Sequence, residues 1–267
     1  MKSIKIAVLG IFTAISLMIS CKKTDIALPK SEANIDSIAS KYYEGYLKMY
    51  PLEATMQGDN RYNDVLPDNM SQDFISKEIN FYNETQKKLQ SLDYESLSDE
   101  DKIVYDVLDY TLKDKIERYA YHPELIPFSQ FEGLPLDFPL LGSAEGNQPF
   151  KTTKDYDNFL KRIDAFTIWM KTAENNFREG MKQNVVLPKK LVIKMIPQMR
   201  GEEIITDDFE KNIFYGPIKK MPTKFTAADK AKYTKLYQEA IKNKLINAKQ
   251  KMGDFLEKEY LPNARNT

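Results

Sequence analysis

Few residues in this chain of 267 are of types that do chemistry, and their spacing limits what that chemistry can be. The single cysteine, Cys21, follows Leu17-Met18-Ile19-Ser20 and precedes Lys22-Lys23. A cysteine closing an apolar export run is where a bacterial lipoprotein is alkylated with diacylglycerol and then cleaved, so Cys21 is the candidate lipidation site. With no second cysteine, the chain has no intramolecular disulfide and no thiolate metal cluster. The single histidine, His122, sits between Tyr121 and Pro123. One imidazole cannot form a His-x-x-x-His zinc pair, and a turn histidine bonded to backbone is the expectation. Glu202-Glu203 and Asp207-Asp208 are acidic pairs beside Gly201. Buried carboxylate pairs can divide acid and base roles, but adjacent residues on a surface turn are expected to be helix-start or solvated charge. Tyr42, Tyr43, Tyr46 and Tyr50 could line a sugar or peptide groove, although at helical spacing they read as core and rim. No Gly-x-Ser-x-Gly elbow, phosphate-binding Gly-x-x-x-x-Gly-Lys loop or Gly-x-Gly-x-x-Gly fingerprint is present. The sequence therefore nominates no catalytic, metal or cofactor-binding residue.

The residues before Cys21 have the order of an export signal. Lys2 and Lys5 form a basic start, and Ile6 to Ser20 carries no charge. That run is about fifteen residues, shorter than the roughly twenty a spanning helix needs. Residues 1–20 are thus expected to be a lipoprotein signal peptide, residues 21–31 a lipidated tether and residues 32–267 a helical domain. Localisation follows: the cell envelope, anchored to a membrane by the lipid, on the periplasmic or surface face. The whole chain has 39 basic and 39 acidic residues, and loss of Lys2 and Lys5 leaves about two excess negative charges. That balance and the export both disfavour a nucleic-acid partner, and none is expected.

The elements that must position any site are helical. Ser31 can cap a first helix carrying Ile35, Ile38, Tyr42, Tyr46 and Met49, with Pro51 stopping it. Ser71 can cap a second with Ile75, Ile79, Tyr82 and Leu89. Ser98 and Asp101 resemble a capping box for a third, whose stripe is Val104, Leu108, Leu112, Ile116 and Tyr119. From Tyr121 to Phe150 prolines and glycines break the pattern, yet the segment is apolar. It reads as a long ordered loop packed on the body or lining a cleft. Tyr156, Phe159, Ile163, Phe166, Met170, Ala173 and Phe177 then make a core seam, with Trp169 beside it and Gly180 at the helix end. Pro188 opens a short helix that Pro197 terminates. Thr226 and Asp229 open a last helix with Tyr237, Ile241, Leu245, Ala248, Met252 and Phe255, ending at Pro262. No useful strand alternation occurs, so the expected fold is all-α, a multi-helix array with long helices and a proline-rich ordered loop.

Tyr42-Tyr43-Glu44-Gly45-Tyr46 leading to Tyr50-Pro51-Leu52-Glu53-Ala54-Thr55, then Gly58 and Tyr62, resembles the opening of the bacterial domain-of-unknown-function 885 family. The run Tyr156 to Ile163, Gly180, Val185-Val186-Leu187-Pro188-Lys189 and the closing Glu259-Tyr260-Leu261-Pro262-Asn263-Ala264-Arg265 are similar in order and character. The resemblance implies an exported or lipid-anchored protein related to helical zinc metallopeptidases. Family members are usually about twice this long, with a His-Glu metal motif in the second half. Nothing here matches that motif, so no family metal or catalytic residue carries over, and zinc would belong to the other half. Two functions are then in view. In the first the chain is the non-catalytic N-terminal half of a peptidase-like lipoprotein, walling a peptide channel and partnered by a catalytic half or an oligomer. The final helix and Phe128, Phe131, Leu134 and Phe138 would then be exposed apolar surface. In the second it is a self-sufficient, lipid-anchored binding or scaffold protein with a closed core.

Overall fold

A computed structural model describes residues 34–266. The signal run, Cys21, the tether and Ser31 lie outside the described residues. The first helix, α1 (Ile35–Met49), is capped by Asn34, whose Oδ1 accepts from the Ser37 amide at 2.7 Å. Pro51 does not end a helix but begins one. It takes the first position of α2 (Pro51–Met56), where its missing N–H costs nothing. Ser71 and Ser98 cap α3 (Gln72–Gln90) and α4 (Asp99–Glu117) as the spacing predicts, each hydroxyl accepting from the amide three residues on. Among the described residues the fold is all-α, and its one β-bridge, between Pro188 and Arg265, is isolated.

Helices α1, α3 and α4 close a small core of Ile35, Ile38, Tyr82, Leu89, Leu108 and Leu112. Val104, expected in the α4 stripe, is 39% exposed. With Ile103, Val107 and Tyr110 it leaves an apolar strip of α4 facing outward. The larger core is built round α6 (Thr153–Lys182), a 30-residue helix begun by a reciprocal Thr152–Asp155 capping box. All seven seam residues from Tyr156 to Phe177, and Trp169, are buried. At roughly 1.5–3 kcal/mol for each large apolar side chain, this seam is a major contributor to the fold's stability.

The proline-rich segment is not a loop throughout. Pro123–Leu125 forms a 3-10 turn, and Leu134–Gly142 forms a helix, α5, with Pro135 in its first turn and Pro139 inside it. Phe138 on α5 stacks on Phe166 with ring centroids 4.2 Å apart and on Phe159 at 5.4 Å. Gly142 permits this closeness, since a Cβ there would lie 2.5 Å from the Phe159 ring. Proline breaks the pattern on paper, but packing on α6 supplies the stability the helix lacks by itself.

Pro188 precedes α7 (Lys189–Met199), which contains Pro197 rather than stopping at it. After a turn-rich stretch holding α8 (Gly216–Lys219), Thr226 and Asp229 form the expected capping box for α9 (Ala227–Ala240). The helix continues through a π segment (Ile241–Ile246) into α10 (Asn247–Phe255), then a second π segment (Leu256–Tyr260) and a final turn, α11 (Leu261–Asn263), which includes Pro262. Buried positions 237, 241, 245, 249 and later 252, 256 and 260 advance mostly by fours. A 3.6-residue helix would rotate such a series off the core, and the wider π turns hold it there.

The expectation of exposed apolar surface on this helix is overturned. Tyr237, Ile241 and Leu245 are fully buried, and Met252 and Phe255 nearly so. Phe128 and Phe138 are buried and Leu134 is partly so, while Phe131 alone stands out at 77% exposed. The buried ones pack against α6, and the last helix also against α7, within this chain. No described helix is long and apolar enough to cross a membrane.

Candidate ligand groove

The residues singled out by type are not gathered into one site. His122 occupies a left-handed turn (φ 50°), with its amide donating to the Tyr119 carbonyl and its ring Nδ1 3.2 Å from Glu124 Oε1. Its side chain is thus tied to a carboxylate rather than to backbone. Glu202, Glu203, Asp207 and Asp208 are all exposed, and Asp208 caps the turn at Phe209–Lys211. Among the described residues no group of three His, Cys, Asp or Glu side chains is placed to hold a metal ion. The described residues offer no set of ligands for the zinc that the resemblance assigns to the other half of the family.

Of the four tyrosines, Tyr42 stacks on Phe81 and Tyr43 bonds Gln57 at the surface. Tyr50 does something else. Its hydroxyl, with those of Tyr82 and Tyr119, donates to the carboxylate of Glu78, which is 1% exposed. Burial, and then the bond to Glu78, raises all three phenols above the ordinary tyrosine value. Three protonated phenols therefore solvate one buried carboxylate, with Arg118 stacked over the Tyr119 ring at 5.1 Å. The cluster fastens the end of α1 to α3 and to the turn after α4.

A second buried polar centre is Arg162, fully buried on α6. Its guanidinium donates to Gln148 Oε1, to Thr55 Oγ1 at 2.8 Å and to the carbonyls of Val65, Tyr62 and Pro51. Every acceptor is neutral. Burial lowers its pKa to about 10, with Asp64 opposing the effect. Nearby, Trp169 Nε1 donates to Asn69, Asn176 to the Met70 carbonyl and Lys161 to Asp64. One face of α6 thus holds the turn 62–70 in place through polar contacts.

Three neighbouring depressions lie along α2 and α5, each sharing wall residues with the next. The inner one, about 230 Å³, has Tyr50, Met70 and Trp169 in its walls. The middle one, about 470 Å³, shares Leu52, Glu53, Leu134 and Asp137 with it and adds Met56, Leu136 and Leu140. The outer one, about 440 Å³, shares Gly146 and Asn147 with the middle one and adds Gln148, Lys151 and Lys220. Together they make a groove that is mainly apolar in its inner and middle stretches, acidic at its centre, and polar and basic at its outer end. Partial desolvation raises the Asp137 carboxyl above its ordinary value, and Glu132 adds to this. A larger hollow of about 570 Å³ lies between α6 and α10, but much of its charge is already paired, Arg178 with Glu174 and Glu259, and Lys244 with Asp164.

Residues 51–267 match the family described as bacterial protein of unknown function (DUF885). The chain belongs to this family. No curated protein matches it. The family match begins at Pro51, so Arg162 and all of the groove's walls except Tyr50 fall inside it, whereas the tyrosines of α1 precede it. Glu78, Arg162, Gln148 and Lys249 were missed as site or core residues in the sequence. The signal was there: Glu78 falls between Ile75 and Tyr82, Arg162 between Phe159 and Phe166, and Lys249 between Leu245 and Met252, each a polar residue on a core face.

Proposed function

We propose that this DUF885 domain is a non-catalytic peptide-binding body held at the cell envelope by a lipid on Cys21. The observation that carries the reading is the groove between α2 and α5, lined by Leu52, Met56, Leu134 and Leu140 with Glu53 and Asp137 at its centre. Apolar walls suit side chains of an extended segment, and two carboxylates without a cation among the groove's central residues favour a positively charged one. Calorimetric titration of the full chain with the tetrapeptide Lys-Leu-Leu-Ala should give saturable binding that weakens with salt. Reversing charge at Glu53→Lys or Asp137→Lys should weaken it roughly tenfold, about 1.4 kcal/mol. Absence of saturable binding by the wild-type chain would sink the reading. For the anchor, Cys21→Ser should release the protein from membranes or stall its processing. Processed protein that still fractionates with membranes would count against lipidation.

A second reading makes the same groove one wall of a peptidase-like channel completed by a catalytic partner. The outward apolar strip of α4, with Ile103, Val107 and Tyr110 more than 60% exposed, supports it. The burial of the final helix weighs against it and favours a body that closes its own core.

A further inference from the structure

The outer end of the groove contains two oddities that a peptide ligand would explain together. Gln148 is only 3% exposed. Arg162 can only donate, so the Gln148 Oε1 must face it, and that fixes the amide's orientation. Its Nε2 is then left buried with no hydrogen-bond partner. Orphaned buried donors are rare and cost about 1–3 kcal/mol each. Beside it, the Arg162 guanidinium is wholly buried and bonded to neutral acceptors alone. No anion touches that charge: Asp64 acts on it only at a distance and pairs with Lys161 instead. The same hollow is lined by Lys151, which has no ion pair among the described residues, and by Lys220, which is bound to Glu145.

We propose that this end of the groove is a carboxylate subsite that receives the C-terminal carboxylate of a peptide. The inference rests on the peptide reading above and gives the groove a direction. A carboxylate here faces the ammonium of Lys151 and the field of the buried Arg162, and a small shift of the Gln148 side chain would bring its unpaired Nε2 donor to it. Moved to the centre of the groove it would face Glu53 and Asp137, so charge allows one orientation: carboxylate at the outer end, cationic group toward the centre. The chain turns into this subsite at Ala144, a non-glycine residue held at φ 64° that lines the hollow. Strained backbone of this kind gathers where a ligand must be met.

The test compares Lys-Leu-Leu-Ala as the free acid with its C-terminal amide on the full chain. The acid should bind about tenfold more tightly, as one charge-assisted hydrogen bond predicts. Gln148→Glu keeps an acceptor for Arg162 and replaces the donor by a negative charge, so the preference should reverse to the amide while the protein stays folded. Lys151→Ala should narrow the acid's advantage without touching the core. Equal binding of acid and amide by the wild-type chain overturns the subsite and leaves the groove standing. Binding of neither removes the peptide reading itself. Inorganic phosphate should not displace the acid; displacement would make the ligand a phosphate and overturn the carboxylate assignment.

Discussion

Lys249 shows how one residue's oddity can be the answer to another's. It is fully buried on α10, and its Nζ donates to the Pro135 carbonyl at 2.6 Å. Pro139 sits four residues after Pro135 and has no N–H, so that carbonyl lacks its usual helical donor. The ammonium takes the place of the missing amide. Burial lowers its pKa to about 8, with Glu203 opposing the effect, against an ordinary 10.5. Between these values the unfolded chain holds a proton that the folded chain has released. Stability should therefore rise with pH from about 8 to 10.5, and the contribution is a constant penalty at lower pH. Chemical denaturation across that window should show the rise in the wild type and not in Lys249→Met. The same variant should lose about 1–3 kcal/mol at pH 7 from the orphaned carbonyl, offset in part by removing a buried charge. Adding Pro139→Ala, which restores a donor, should recover part of the loss. Strict additivity of the two substitutions would break the link between them.

At the level of elements, α5 and α6 are formed by opposite means. Helix α6 is specified locally, with a two-way cap, a continuous apolar seam and a length of 30 residues. Helix α5 has two prolines, no side-chain cap and a left-handed residue, Ala144, just beyond its end. Such positions normally take glycine, because a Cβ crowds the backbone there. Ala144→Gly should raise stability by up to about 1 kcal/mol if the α5 end is strained as described. A lower melting temperature would show that the lost chain entropy of glycine outweighs the strain. The π segments in the last helix are likewise set by their neighbours, since they appear where the buried face must keep advancing by fours.

For the whole molecule, the polar ladder of α6 decides whether the parts unfold together. Arg162 ties Thr55, the carbonyls of Pro51, Tyr62 and Val65, and Gln148 to the centre of the large core. These segments connect directly to α1 and α3, and hence to the smaller core. Arg162→Met roughly keeps the volume but leaves several buried neutral acceptors unpaired, and should be destabilising by about 1–3 kcal/mol for each acceptor that finds no other donor. Calorimetry should show one transition in the wild type and a separated early transition, reporting α1 to α4, in the variant. A single sharp transition in both would mean that apolar contact alone couples the two cores.

The all-α class, the caps at Ser71, Ser98 and Thr226, the seam of α6 and the family were all legible in the chain itself. Each depends on residues within a few positions of one another, or on order along the sequence, and neither needs a neighbour to be known. Proline misled at positions 51, 139, 197 and 262, because what it permits depends on whether its missing donor is wanted or replaced. The burial of the last helix, the solvation of Glu78 by Tyr50 and Tyr119 and the meeting of Gln148 with Arg162 bring together residues 14 to 114 positions apart. Such pairs leave no periodic trace, only a polar residue on an otherwise apolar face. Whether that residue is a flaw, a pin or a binding group is set by what the tertiary fold places opposite it, because a buried charge or amide is tolerable only when its partner is supplied.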